Sequence, residues 1–143
     1  TYRHITGRPS RREESWSRLL RYAGHWRIMG YGYWAIEEKA TGRFIGEAGF
    51  ADYRRDMEPS FGSTPEMGWL IAPEVHGKGY GSEATRCIVD WGRGNLQSSD
   101  CACMISPENA ASVALARKLG FVQTGTASYT GDAVLLMRLK LRG

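Results

Sequence analysis

The stretch His76-Gly77-Lys78-Gly79-Tyr80-Gly81 constrains this chain more than any other. Three glycines at alternate positions let backbone N–H groups approach a ligand closely and converge on it. The run Glu66-Met67-Gly68-Trp69-Leu70-Ile71, stopped by Pro73, reads as a strand leading into this loop. A helix is expected from about Ser82, with Ala84, Cys87, Ile88 and Trp91 as its apolar stripe and Gly92 and Gly94 marking its end. Strand, glycine loop and helix in that order make a ready phosphate or pyrophosphate site. The helix start contributes unpaired N–H groups and the positive end of its dipole, and Lys78 contributes a full charge.

Two familiar phosphate loops fail on context. No Gly-Lys-Ser/Thr follows four residues after a glycine, so the segment is not a P-loop. Gly79-Tyr80-Gly81-Ser82-Glu83-Ala84 matches a dinucleotide fingerprint, but the acidic partner that should close the next strand is missing. Asp100 has roughly the right separation and precedes that strand instead.

The remaining periodicity sets the architecture. Trp16, Leu19, Leu20, Ala23 and Trp26 fall at helical spacing between about Arg12 and Ile28, and Trp16, Trp26, Trp34 and Trp91 are expected in the core. Tyr33 to Glu37 and Phe44 to Phe50 alternate as a hairpin, and Arg54 to Pro65 is a polar loop. Beyond the second helix come a strand from Cys101 to Ile105, a short helix to Leu119 with Gly120 as its stop, and two strands, Phe121 to Thr126 and Val134 to Leu141. That order predicts an α/β (α+β) domain, a mixed sheet with helices packed on it.

Cys87, Cys101 and Cys103 are odd in number and sit in apolar stretches, where cysteine behaves as a small buried hydrophobe rather than a disulfide partner. A reduced, cytoplasmic protein is expected. With only His4, His25 and His76 besides, no zinc site is expected. No apolar run nears the roughly 20 residues of a membrane span, so no membrane partner is expected. The net charge of +4 suits an anionic ligand. Aromatic and basic residues do not interleave on one strand face, so a nucleic-acid module is disfavoured.

A second signature follows the first: Asn109-Ala-Ala-Ser112-Val-Ala-Leu-Ala-Arg-Lys118-Leu-Gly120-Phe121. Together the loop and this helix resemble the GNAT family of acyl-CoA-dependent N-acetyltransferases, and more closely its RimJ/RimL-like branch. His76 departs from the Arg or Gln that usually opens the family loop. The resemblance covers about residues 12 to 141, and implies a mostly antiparallel mixed sheet flanked by helices. The family's first strand and first helix would precede Thr1. Residues 1–143 are therefore expected to be a single, N-terminally incomplete GNAT domain, with Tyr33 beginning an uncovered edge strand.

The resemblance also implies the chemistry. Acetyl-CoA, with no metal, would lie with its pyrophosphate on His76, Gly77, Lys78, Gly79, Gly81 and Ser82. Its pantetheine arm would run beside Trp69, Leu70 and Ile71, and Asn109 and Ser112 would face the arm's other side. A backbone N–H near Leu70 would bind the thioester oxygen. The acceptor is a primary amine, either a protein N-terminus or a small molecule, attacking directly in a ternary complex. Its proton needs a base: Glu66 is the first candidate and Glu47 the second. The Tyr that commonly serves as acid is replaced by Ala116, leaving Ser112, Tyr129 or water. Asn109 reads equally as a helix N-cap, Lys78 as a solvated charge, and either carboxylate as a cross-strand ion-pair partner. The alternative function is a non-catalytic acyl-CoA-binding module. An exposed sheet edge would also suit a homodimer.

Overall fold

The computed structural model describes residues 9–143. The chain begins with α1 (Arg12–Met29), then β1 (Tyr33–Glu37), β2 (Phe44–Ala51) and β3 (Glu66–Ile71). A single 3₁₀ turn, Pro73–Val75, leads through the glycine loop into α2 (Tyr80–Asn95). β4 (Asp100–Ile105), α3 (Ala110–Leu119), β5 (Val122–Tyr129) and β6 (Asp132–Lys140) complete it. The described strands form one six-stranded sheet in the order β1-β2-β3-β4-β6-β5. Every pairing is antiparallel except β3 with β4. The mixed sheet and the element order expected from periodicity are both present, and β1 is an edge among the described strands.

Turn chemistry explains the connections. Gly42, at φ +71°, closes the β1–β2 hairpin, its N–H bonding Glu38 O at 2.8 Å. Thr130 and Gly131 both have positive φ, which matches the twist of a two-residue hairpin between β5 and β6. Asn109 caps α3, its Oδ1 accepting from Ser112 N–H at 3.2 Å, and Gly120 ends it at φ +103°.

The main core lies between one face of the sheet and α2 with α3. Ala48, Phe50, Met67, Cys101, Cys103, Met137 and Leu139 meet Ile88, Val89, Val113 and Ala116 there. α2 ends close to the Gly92 and Gly94 pair that the sequence offered as its stop. It runs on to Asn95, one residue past Gly94; Gly92 lies in its last turn under the Phe50 ring, where a Cβ would lie 2.9 Å from ring carbon. Its stripe also shifts: Thr85, Ile88 and Val89 are buried while Cys87 is exposed. The expected burial of Cys87 is thus corrected. The thiols of Cys101 and Cys103 face that core together, and burial pushes Cys101 up to about 12.

α1 requires the largest correction. None of its residues is fully buried, and Trp16, Leu19 and Leu20 are more than half exposed. It docks instead through the neighbouring face. The Trp26 ring meets Trp34 and Trp91 edge to face, with centroids 4.8 and 5.8 Å away, and its Nε1–H donates to Tyr33 O. His25 donates from Nδ1 to Arg21 O and accepts at Nε2 from Asp52 N–H. Trp26, Trp34 and Trp91 are therefore packing residues as expected, and Trp16 is not. Helical spacing finds the helix, but polar and aromatic anchors decide which side faces the domain.

Candidate active site

The parallel pair β3–β4 is joined in register only at Glu66 and Ala102, supported by Ala102 N–H donating to Pro65 O. Beyond that point the two strands part. The opening lies between Trp69–Ile71 on one side and the end of β4 on the other. The glycine loop and the start of α3 follow those two strand ends in the chain. Trp69 reaches across toward α3, its Nε1–H donating to Ser112 Oγ at 3.2 Å.

Ala72 N–H bonds Ile45 O at 2.7 Å, and Leu70 is the register partner of Glu47. In an antiparallel ladder, hydrogen-bonded and non-bonded pairs alternate. Leu70 therefore directs its amide toward β2, and Trp69 directs its own toward the opening. The sequence reading centred on Leu70 moves by one residue.

In the loop, Gly77 and Gly79 have φ of +81° and +82°, and added Cβ atoms would meet nothing within 4 Å. Their need is conformational, and the space beside them is open. Gly79 is the N-cap of α2, so that helix starts two residues earlier than expected, at Tyr80. The first helical bond is Glu83 N–H to Gly79 O, which leaves the amides of residues 80 to 82 ahead of the helix's own ladder. A Cβ at Gly81 would make ordinary contacts with Leu115 and Ile71 at 3.6 and 3.7 Å. Nothing among the described residues demands a glycine there.

Side chains pin this loop from outside. His76 donates from Nε2 to Ile71 O at 2.9 Å, so it braces the loop base. The Tyr80 hydroxyl donates to Glu38 Oε2 at 2.7 Å, and Thr41 donates to Oε1 of the same carboxylate. These bonds hold the Glu38 carboxyl below its ordinary range, with Lys78 and Arg43 adding a smaller electrostatic contribution. Lys118 reaches Ser82 Oγ at 3.4 Å, so Lys78 and Lys118 put two cations at the helix start. Sequence reasoning missed the Glu38 latch, because its partners are 42 residues apart.

The opposite face of the sheet carries the titratable groups. Cross-strand register puts Tyr33 with Gly49, Glu47 with Leu70, Gly49 with Gly68 and Ala51 with Glu66 on this one face. Glycine at 49 and 68 is steric: a Cβ at 49 would collide with the β1 backbone, and one at 68 with the Tyr33 hydroxyl. The Tyr33 ring stacks on Tyr22 of α1 at 4.7 Å, and Tyr53 is an electrostatic neighbour of its hydroxyl. Burial raises the phenols of Tyr22, Tyr33 and Tyr53.

The two carboxylates differ sharply. Glu66 is buried and held by Arg55 in a two-pronged ion pair, Nε to Oε1 and Nη2 to Oε2, both 2.7 Å. Arg55 also stacks on Tyr53 and Tyr129, at 4.5 and 4.9 Å. Glu47 is half-buried and accepts one hydrogen bond, from the Tyr22 hydroxyl to Oε1 at 2.8 Å. Glu66 also lies roughly 13 Å along β3 from Leu70, at about 3.3 Å per residue. Tyr129 belongs with Glu66, in the cluster of Arg55 and Met57. Ala116 is fully buried in the core. Residues 51–55, 60–64 and Glu66 line an open cleft of about 300 Å³ beside this ion pair. Among the described residues no cluster of histidine, cysteine and carboxylate side chains could hold a metal ion.

A family model for the acetyltransferase (GNAT) domain matches residues 1–122. The chain belongs to that family. An uncharacterized protein of Bacillus subtilis, YkkB, is 34% identical over 93 residues, 64% of this chain and 52% of the relative. The chain thus spans about half the length of the curated relatives it matches. A solved GNAT-family acetyltransferase structure from Bordetella pertussis superposes with a TM-score of 0.86 at 27% identity, over 97% of this chain and 81% of that one. The yncA protein of Salmonella typhimurium, solved with its cofactor acetyl-CoA, superposes at 0.75 and 27% identity, over 98% and 80% of the two chains.

Proposed function

We propose that this domain is an acetyl-CoA-dependent N-acetyltransferase acting on a primary amine by direct attack in a ternary complex. The observation that carries the reading is the opening between β3 and β4, flanked by Trp69 and ending at a glycine loop with open space and unspent amides. Those features suit a pyrophosphate joined to an extended arm. Gly77, Lys78, Gly79, Gly81 and Ser82 would hold the pyrophosphate, with Lys118 as a second cation. His76 would brace the loop from below. Trp69, Leu70 and Ile71 would flank the arm, and Asn109 and Ser112 would close its far side. The Asn109 to Phe121 signature supports placement in the RimJ/RimL-like branch.

Acetyl-CoA supplies an acetyl group as a thioester, transferred when the amine nitrogen bonds the carbonyl carbon and the carbon–sulfur bond breaks. The Trp69 N–H is the amide directed at the opening, and it would donate to the carbonyl oxygen, an interaction commonly worth about 3 kcal/mol. Glu47 would take the amine proton. Its register partner borders the opening, and one of its oxygens has no hydrogen bond among the described residues. Glu66, both oxygens bound to Arg55, is better suited to holding the acceptor-side floor. Ser112, already accepting from Trp69, can donate its own hydroxyl proton toward the leaving sulfur, and water can do the same. The expected readout is CoA release over a panel of N-terminal peptides, polyamines and small amines. Glu47→Gln should lower kcat by about 100-fold or more. Turnover by wild type that survives this substitution removes Glu47 from the role. Saturable acetyl-CoA binding without turnover on any amine would favour the non-catalytic module, the reading that the buried Ala116 supports.

A further inference from the structure

We propose that Tyr22, on α1, is a positioning residue for Glu47, so that α1 belongs to the reactive machinery rather than serving only as packing. The inference rests on the reading of Glu47 as the base.

Three observations carry it. The Tyr22 hydroxyl lies 2.8 Å from Glu47 Oε1 and is the hydrogen-bond donor to that carboxylate among the described residues. The Tyr22 ring is fixed by stacking on Tyr33 at 4.7 Å and 14°, and Tyr33 itself lies against Gly49 and over Gly68, where no side chain displaces it. The phenol that does the positioning is thus held by the sheet and has little rotational freedom left. Thirdly, α1 contributes almost no fully buried surface, so its few polar and aromatic anchors decide where it sits. One of those anchors ends on the carboxylate beside Leu70.

The chemistry fits a positioner and not an acid. Burial, followed by the nearby Glu47 charge, raises the Tyr22 phenol well above its ordinary value. A thiol ordinarily ionises near 8.5, so proton donation from such a phenol to a leaving thiolate would run uphill. The phenol stays protonated and keeps donating. With Oε1 committed to Tyr22, the carboxylate has one orientation and presents Oε2 to an incoming amine. Arg18 on α1 and Tyr53 on the β2–β3 loop are the other charged or titratable groups acting on Tyr22. Neither has a hydrogen bond to Glu47, so the orienting contact is the phenol's.

The test is a kinetic cycle on the full chain: wild type, Tyr22→Phe, Glu47→Gln and the double variant, with acetyl-CoA and the best amine of the panel. Phe keeps the stack on Tyr33 and removes only the hydroxyl. We expect Tyr22→Phe to lower kcat about tenfold with KM for acetyl-CoA unchanged, and to add nothing in the Glu47→Gln background. Melting curves of all four exclude unfolding as the cause. If Glu47→Gln abolishes turnover while Tyr22→Phe leaves kcat intact, or multiplies with it in the double variant, the proposal is wrong and the base assignment stands. If Glu47→Gln leaves turnover intact, or wild type turns over no amine, the base assignment fails and takes this proposal with it.

Discussion

Replacing Arg55 by Met separates the two carboxylates experimentally. The guanidinium makes both of its 2.7 Å contacts with Glu66, whose side chain is 9% exposed, and it is sandwiched near Tyr53 and Tyr129. Removing it strands a buried carboxylate. Breaking one partner of such a pair costs about 3 kcal/mol or more, and for a chain of this length that is a fall in Tm of about 10 °C. Replacing both partners by apolar groups of similar size is close to neutral, because neither charge then needs solvent. The Arg55→Met, Glu66→Met double variant should therefore melt within about 4 °C of wild type. Thermal unfolding followed by circular dichroism measures wild type, Arg55→Met, Glu66→Met and the double variant. The double variant also keeps Glu47, Trp69 and the glycine loop, so its kcat should stay within about threefold of wild type. Additive losses in the double variant would refute the coupling. A correctly folded double variant as inactive as Glu47→Gln would return Glu66 to the catalytic role.

Three smaller perturbations probe other parts of the account. Tyr80→Phe frees the loop from Glu38 and should raise KM for acetyl-CoA about fivefold without changing kcat. The Glu38 carboxyl is depressed in the folded chain, so the stability that this bond contributes is present above about pH 4.5 and lost as pH falls further. Melting curves of wild type and Tyr80→Phe should accordingly converge in acid. Gly68→Ala should cost about 1–3 kcal/mol, measured by urea denaturation, because its Cβ meets the Tyr33 hydroxyl. A thiol reagent should modify Cys87 in the native chain, and Cys101 and Cys103 only after unfolding. Cys87→Ala should leave turnover unchanged, since direct attack uses no acetylated thiol.

The parts of this fold that rest on local rules were readable in the chain itself. Gly30, Gly42, Gly120 and Gly131 end or turn elements where their positive φ is needed, and Asn109 caps α3 through its own side chain. The glycine loop was equally visible in three alternating residues, of which Gly77 and Gly79 carry the conformational demand. What escaped were decisions made between distant segments. Gly92 marks the last turn of α2 as read, but its packing role shows only when Phe50 is seen pressed against it. Trp16, Leu19 and Leu20 look like a core stripe until Tyr22, His25 and Trp26 dock the helix by its other side. Glu66 reads as a free strand carboxylate until Arg55, eleven residues away, is found on both its oxygens. The choice between Glu47 and Glu66 needs strand register and ion pairing, neither of which periodicity supplies.

The measurement that bears most directly on the central claim is calorimetric or thermal-shift titration with acetyl-CoA, beside NAD and ATP, on wild type and Gly79→Glu. Gly79 has φ +82° and open space beside it, so a glutamate there opposes the pyrophosphate by charge and by loop conformation without a steric clash in the core. At about 100 times its Kd, acetyl-CoA should stabilise wild type by about 2.7 kcal/mol. The account predicts that shift for acetyl-CoA alone and its loss in Gly79→Glu. Equal stabilisation of both proteins by acetyl-CoA, or stabilisation of wild type by NAD or ATP and not by acetyl-CoA, would contradict it.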